Sequence, residues 1–327
     1  MFNELLTAAI AIGVIGLLFG IILAFGAKFF KVKVDFKLAQ VRNALPGINC
    51  GGCGYAGCDS FAEKLVSGEA QVNGCPVSSK EQKEELARIM GVESEEVEPL
   101  AAVVRCIGTY DKAKIKYEYD GIQDCTALAA LGDGNKECVY SCLGMGNCAR
   151  VCPTDAIKME NGVAVIDREK CIACGKCVIE CPRHVISLVP KSAKAIIKCS
   201  TLDRGKDVLE VCEVGCIGCA MCVKACEFDA IKMNGNLPVI DHDKCQNCGM
   251  CAEKCPTGCI AYDYGKRKIA FIEEEKCIGC TKCKKACQFD AVEGELKETH
   301  KIIADKCVGC RACYDACPKS AVHLISR

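Results

Sequence analysis

Five times between Cys171 and Cys317 the chain repeats one arrangement: cysteine, two residues, cysteine, two residues, cysteine, three residues, cysteine. The copies are Cys171, Cys174, Cys177 and Cys181; Cys216, Cys219, Cys222 and Cys226; Cys245, Cys248, Cys251 and Cys255; Cys277, Cys280, Cys283 and Cys287; and Cys307, Cys310, Cys313 and Cys317. A sixth, altered copy holds Cys142, Cys148 and Cys152, with Met145 in the place of its second cysteine. Three thiols so closely spaced curl the backbone around one centre, and the fourth is directed to the centre of a partner unit. A chain built this way folds as a string of small units, each stapled by metal. It has little else to fold around, because aromatic residues make up 6% of it and Trp is absent.

The copies come in pairs. Cys142 to Cys171 and Cys216 to Cys245 are each 29 residues apart, and Cys277 to Cys307 is 30. Short β-type segments separate the paired members, as in the glycine-turned hairpin expected over Asp229 to Asp241. The fold class is therefore α+β and multi-modular. Tandem two-cluster bacterial ferredoxin-like modules occupy 138–190, 216–262 and 263–327, with a connecting segment at 100–137 and a basic linker at 191–215.

With 33 cysteines and only 4 histidines in 327 residues, metal and disulfide are the competing uses of sulfur. Disulfide frameworks belong to short secreted chains, and an odd cysteine count does not close one. Structural zinc favours two separated cysteine pairs or cysteine–histidine mixtures. Unbroken triple runs with a crossed fourth ligand are instead the pattern of [4Fe–4S] clusters. The pairing gives Cys171, Cys174 and Cys177 the ligand Cys152, while Cys142 and Cys148 take Cys181, with Cys138 substituting for the missing second cysteine. In the next module Cys216, Cys219 and Cys222 take Cys255, and Cys245, Cys248 and Cys251 take Cys226. In the last, Cys277, Cys280 and Cys283 take Cys317, and Cys307, Cys310 and Cys313 take Cys287.

Residues Leu5 to Ala27 carry no charge and are mostly apolar. As a helix they reach about 34 Å, enough to span a bilayer's hydrocarbon core. A cleaved signal peptide needs a positive start that Met1 to Glu4 lack. The positive charges follow the run, at Lys28, Lys31 and Lys33. That order places residues 1–27 as a single-pass anchor in the inner membrane, with the cysteine-rich part in the reducing cytoplasm. Gly16, Gly20 and Ala24 form a small-residue stripe against which a partner helix could pack. A linker at 28–40 leads to a domain at 41–99. There a short helix is expected over Asp59 to Val66, stopped by Gly68. A second runs from Lys80 to Met90, capped by Ser79 and Gln82 and ended by Gly91. The acidic stretch from Glu93 to Glu98 reads as a solvated segment.

In that domain, Asn49 to Ala62 with Cys50, Cys53 and Cys58, followed by Cys75 and Pro76, resembles the four-cysteine iron–sulfur domain of electron-transfer and acetyl-CoA-pathway proteins. An anchor, this domain and then ferredoxin modules is similar to the B subunits of the Rnf complex, over essentially the whole chain. The resemblance implies ion-translocating electron transfer from reduced soluble ferredoxin towards NAD, with other membrane and flavin-carrying subunits as partners. It also implies that Cys50, Cys53, Cys58 and Cys75 hold the cluster nearest the membrane. A polyferredoxin serving a membrane hydrogenase, and a scaffold whose clusters are structural, are the competing readings.

Four cysteines in the first domain and twenty-four in the six units leave five of the 33: Cys106, Cys125, Cys199, Cys212 and Cys259. The first four flank the first ferredoxin module, two on each side. Four thiolates are what one more cluster requires, so seven clusters become eight if the module's ends lie together. Unrelated buried thiols or a zinc site are the alternatives. Cys259 fits no unit and reads as a buried free thiol.

No dinucleotide fingerprint or P-loop is present, so the chain is expected to have no catalytic substrate site of its own. His184, His242, His300 and His323 show no ligand spacing and read as surface or hairpin residues. Zero net charge argues against nucleic acid as a partner. The charge is nonetheless uneven: Cys277 to Arg327 has nine Lys and Arg against six Asp and Glu, whereas Cys216 to Tyr262 has four against five. The last module is therefore a candidate landing site for an acidic ferredoxin.

Overall fold

The computed structural model describes residues 2–29, 35–93, 98–264 and 267–326. Lys31, Lys33, Arg327 and residues 94–97 of the acidic stretch lie outside the described residues, as do the side chains of residues 2–12 and 27–29. The chain forms two compact units. One comprises Met1–Asn49, Tyr55–Gly74 and Ser78–Ser94; the other comprises Cys50–Gly54, Cys75–Val77 and Glu95–Arg327.

The first unit is helical. Helix α1 spans Phe2–Phe29, 28 residues. Its described side chains are those of residues 13–26, shorter than the ~20 residues a span requires, and among the described residues no helix is long and apolar enough to cross a membrane. Helix α2 (Phe36–Ala44) starts at Asp35, whose carboxylate accepts from the N–H groups of Lys37 and Leu38. Helix α3 covers Cys58–Val66, one residue earlier than the spacing predicts, and α4 covers Lys80–Met90. The Ser79–Gln82 capping box is present, and Gly91 ends α4 in the left-handed region at φ 74°. Val41, Phe61, Leu65 and Leu86 are fully or almost fully buried, so three short helices close over one small core.

Among its described residues the second unit holds six two-stranded antiparallel sheets, and their connectivity repeats three times. Strand β1 (Leu100–Val104) precedes the hairpin β2 (Ile157–Glu160) and β3 (Val163–Ile166), and pairs with β4 (Ile186–Pro190). Strand β5 (Ala195–Ile197) likewise precedes β6 (Ile231–Asn234) and β7 (Leu237–Ile240) and pairs with β8 (Ile260–Tyr262). Strand β9 (Lys268–Ile272) precedes β10 (Val292–Glu293) and β11 (Lys301–Ile302) and pairs with β12 (Val322–Ser326). Each module thus closes its hairpin with an outer strand pair. Leu100–Val104, in the expected connecting segment, and Ala195–Ile197, in the expected linker, are the first strands of modules one and two. Residues 105–137 and 198–215 are insertions between the first strand and the first cysteine run.

These sheets are too small to hold themselves together, since an isolated hairpin is marginal in water. Their buried faces pack onto cysteines instead. Val104, Ile157, Val163 and Ile186 cluster with Cys142, Cys148 and Cys177. Ile197, Ile231, Leu237 and Ile260 cluster with Cys216, Cys222 and Cys251. Ile272, Val292 and Val322 cluster with Cys283, Cys307 and Cys313. Sulfur lies in the core of each of the three modules.

Candidate metal centres

Each cysteine run bends at three places, in all six copies. The second residue after the first cysteine lies in the left-handed region: Gly144, Ala173, Gly218, Asn247, Gly279 and Gly309. So does the residue after the second cysteine, at Gly175, Ala220, Gly249, Thr281 and Arg311, and at Gly146 after Met145. The third residue after the fourth cysteine does the same, at Asp155, His184, Asp229, Gly258, Asp290 and Ser320. Successive turns of this kind aim backbone N–H groups at one concave point. Cys171 accepts from Ala173 N–H at 3.4 Å, and Cys152, Cys287 and Cys317 accept from Ala156, Ala291 and Ala321 at 3.3–3.4 Å. Such N–H groups suit thiolates carrying negative charge.

The turns bring thiols into fours. Cys277, Cys280, Cys283 and Cys317 line one cavity. Burial, with Cys307, Cys310 and Cys287 beside it, pushes Cys313 up to about 12. Burial and the neighbours Cys171, Cys174 and Cys152 push Cys177 up to about 11. Burial and the neighbours Cys216, Cys219 and Cys255 do the same for Cys222, to about 11, and burial with Cys248 and Cys245 raises Cys251 to about 12. Cys226 adjoins both Cys245 and Cys248. Thiols crowded and buried in this way lose their protons when a cationic centre arrives among them, so their chemistry fits metal. Among the described residues no group of three or more Cys, His, Asp or Glu side chains closes on a single-ion site.

The altered copy departs from the spacing. Its fourth thiol is Cys125, not Cys138: Cys125, Cys142, Cys148 and Cys181 line one cavity. Burial, followed by Cys142, Cys125 and Cys181, pushes Cys148 up to about 12. Cys125 opens the helix Cys125–Ala130, capped by Asp124. Asn147, inside the altered run, accepts from the Cys125 N–H at 2.7 Å and donates to Asp124 Oδ2 at 2.8 Å, fixing this distant thiol beside Cys148.

Cys138 joins the other three leftover cysteines instead. Cys106, Cys138, Cys199 and Cys212 line a cavity between the two insertions. Ser200 Oγ donates to Arg105 O at 2.9 Å, Lys114 N–H to Val211 O at 2.9 Å, and Ala113 bridges Cys212, which ties the insertions together. Burial and the neighbours Cys106, Cys199 and Cys212 push Cys138 up to about 12. A Cβ on Gly108 would lie 3.3 Å from Cys212 Sγ and 3.7 Å from Cys106 Sγ, so glycine keeps this cradle open. Four thiols around an open cradle fit a cluster.

The groups adjoin in series. Cys310 lies near Cys248, and Arg267 donates to Cys248 O at 2.9 Å and to Val308 O at 3.4 Å across modules two and three. Cys199 Sγ accepts from Cys216 N–H at 3.3 Å. Cys142 has Cys106 as a neighbour, and Cys148 has Cys177. Cys174 has Cys50 as a neighbour, and a Cβ on Gly52 would meet Cys174 O at 2.8 Å, so only glycine allows that approach. Cys58 belongs to the first unit, where Asn49 Oδ1 accepts its N–H at 2.8 Å; Cys50, Cys53 and Cys75 belong to the second.

Cys259 is 1% exposed, with its Sγ 3.6 Å from Cys255 Sγ. It occupies the place of Ala156, Val185, Ala230, Ala291 and Ala321 in the other units. Sharing of its thiol with Cys255 and Cys216 lowers both of those thiols and, with burial, pushes Cys259 itself up. Of the histidines, His184 and His323 are exposed, and His323 pairs with Glu273 at 3.1 Å. His300 lies in the hairpin connection between β10 and β11, within the surface-or-hairpin expectation, but it is 1% exposed, with its backbone N–H 3.5 Å from Cys277 Sγ. Lys136 gave no sequence signal at all. Its side chain is fully buried between the last two groups of four described, and burial lowers its pKa against the pull of Cys106 and Cys142.

Residues 45–77 match a family described as "Putative Fe-S cluster", and residues 164–187 a 4Fe-4S binding domain. Residues 215–259, 244–291 and 270–324 match 4Fe-4S dicluster domains. The chain is 45% identical over 84% of its length to the B subunit of the Na(+)-translocating ferredoxin:NAD(+) oxidoreductase complex of Acetobacterium woodii, covering 83% of that protein. It is 38% identical over 80% of its length to the B subunit of the ion-translocating oxidoreductase complex of Methanosarcina acetivorans, covering 99% of it. Against the B subunit of the proton-translocating ferredoxin:NAD(+) oxidoreductase complex of Clostridium ljungdahlii the identity is 40%, over 79% of this chain and 92% of that one.

Proposed function

The chain belongs to the family of B subunits of ion-translocating ferredoxin:NAD oxidoreductase complexes, and on that premise we propose how it carries electrons. It is an electron-transfer subunit with several 4Fe-4S domains. We assign ligand roles to the seven gathered fours and to Cys50, Cys53, Cys58 and Cys75. Bound there, each [4Fe–4S] cluster would take up and release one electron. The observation that carries the reading is the unbroken series of neighbouring thiol groups, in which no module stands apart.

The series gives an order. It starts at Cys277, Cys280, Cys283 and Cys317, then Cys307, Cys310, Cys313 and Cys287. Module two follows, with Cys245, Cys248, Cys251 and Cys226, then Cys216, Cys219, Cys222 and Cys255. The group Cys106, Cys138, Cys199 and Cys212 links it to Cys125, Cys142, Cys148 and Cys181. Last come Cys171, Cys174, Cys177 and Cys152, against which the Cys50–Gly54 loop lies. Lys282, Lys284 and Lys285, exposed on the short helix Lys282–Ala286 of module three, are suited to receive an acidic soluble ferredoxin. At 28 residues, α1 is about 42 Å long, so we assign it as the single-pass anchor that holds the iron–sulfur part at the cytoplasmic face. The relatives' complexes are named for different ions, sodium and protons; the apolar run Leu5 to Ala27 carries no charged residue to conduct either, so we assign ion transfer to partner subunits.

The test is reduction of the anaerobically purified chain by reduced ferredoxin, followed by the loss of cluster absorbance. Replacing Lys282, Lys284 and Lys285 by Glu should slow it about tenfold at low salt and flatten its salt dependence. An unchanged rate would remove module three as the entry point. Failure of ferredoxin to reduce the unaltered protein would sink the electron-transfer reading.

A further inference from the structure

Lys136 is 0% exposed, yet it carries one of the most water-seeking groups in the chain. Its Nζ donates to Gly108 O at 2.8 Å, to Cys142 O at 3.0 Å and to Gly162 O at 2.8 Å. Three carbonyl acceptors match the three protons of an ammonium, which has no lone pair to offer. The Tyr110 ring completes the enclosure, its centroid 5.1 Å from Nζ. Gly108 lines the cavity of Cys106, Cys138, Cys199 and Cys212, and Cys142 belongs to the adjoining group. One buried cation therefore braces the walls of two thiol groups at once. Arg105 and Lys198 also line the first cavity, but both are partly exposed and their charge is screened by solvent.

We propose that Lys136 is the fixed positive charge that raises the reduction potentials of the clusters at these two sites. Adding an electron to a cluster with four thiolate ligands increases negative charge in a medium of low dielectric constant. A cation beside it stabilises the reduced state over the oxidised one. Because Lys136 touches the walls of both sites, it acts on both and holds electrons at the junction between modules one and two. The inference rests on the reading that both groups of four hold clusters.

The experiment is an EPR-monitored redox titration of the full chain, purified anaerobically, with iron and sulfide measured on each sample. Cys106→Ser and Cys125→Ser variants identify which signals belong to the two sites; if neither lowers iron content, the cluster reading itself fails. Lys136→Met keeps the length of the side chain and removes the charge. We expect it to retain full iron and to shift the reduction equilibrium of those signals at least tenfold towards the oxidised state, about 59 mV for one electron. Loss of iron in Lys136→Met with retention in Lys136→Arg would also support a role for charge. Full iron with unchanged potentials in Lys136→Met overturns the proposal. So does equal loss of iron in both variants, which would make Lys136 a brace only.

Discussion

Modules one and three share a plan, an outer strand pair around a hairpin, but gather their sulfur differently. Module three runs from β9 into Cys277 within five residues and takes eight thiols from two complete runs. Module one inserts residues 105–137 after β1, loses one cysteine to Met145, and recovers it from Cys125, 20 residues upstream of Met145. Its backbone still turns through Gly144 and Gly146 as if the cysteine were present. The bends are thus a property of the run, while the set of thiols brought together is a property of the fold. That separation freed Cys138 to join a group that belongs to no single module.

If sulfur holds both modules, removing metal should erase the difference between them. Stripping iron with a chelator under anaerobic reducing conditions should unfold the whole second unit, because strands of two to five residues cannot persist without it. Circular dichroism and limited proteolysis would report this. A metal-free protein that kept native protease resistance in module three would show that its core stands without a cluster.

The next test separates the two thiols that spacing confuses. Cys125→Ser should remove about four irons from module one, and Cys138→Ser about four from the site between the insertions, with different EPR signals lost. If both variants lost the same signal, Cys138 would be the local substitute that its four-residue distance from Cys142 suggests.

These two cysteines also mark where sequence stops being readable. Ligands within one run follow from a spacing of two or three residues, and the hairpins and the helix Lys80–Met90 follow from equally local signals. The pairing of Cys125 with Cys148 depends on Asn147 reaching back 22 residues, and nothing near Cys125 announces it. The four-residue gap from Cys138 to Cys142 pointed the wrong way for the same reason. The first strands of modules one and two were hidden likewise, because Leu100–Val104 and Ala195–Ile197 acquire partners only far along the chain, Val104 pairing with Ile186, 82 residues later, and Ile197 with Ile260, 63 residues later. Lys136 and His300 became visible only through burial.

Backbone bends allow a finer comparison. A Cβ on Gly309, at φ 69°, would lie 1.9 Å from Lys268 O, so Gly309→Ala should cost module three about 3 kcal/mol or more. Gly175, at φ 75°, faces open space, and in the first run of module two Ala220 occupies the corresponding turn position in the left-handed region. Gly175→Ala should cost only about 1 kcal/mol. Chemical denaturation of the loaded protein would order the two, and equal losses would count against backbone crowding at Gly309.

The smallest effect is expected at Cys259. With Cys255 a cluster-bound thiolate, the Cys259 thiol 3.6 Å away can only donate to it, a hydrogen bond that favours the reduced cluster. Cys259→Ala, which installs the alanine found in four of the other five units, should lower that cluster's potential by less than about 59 mV and leave iron content unchanged. A potential that rose would contradict the hydrogen bond.

Elemental analysis tests most directly whether thiols in fours hold iron and sulfide throughout the chain. Eight sites predict about 32 irons and about 32 acid-labile sulfides per chain in anaerobically purified protein. Zinc as the dominant metal with little sulfide would contradict the account.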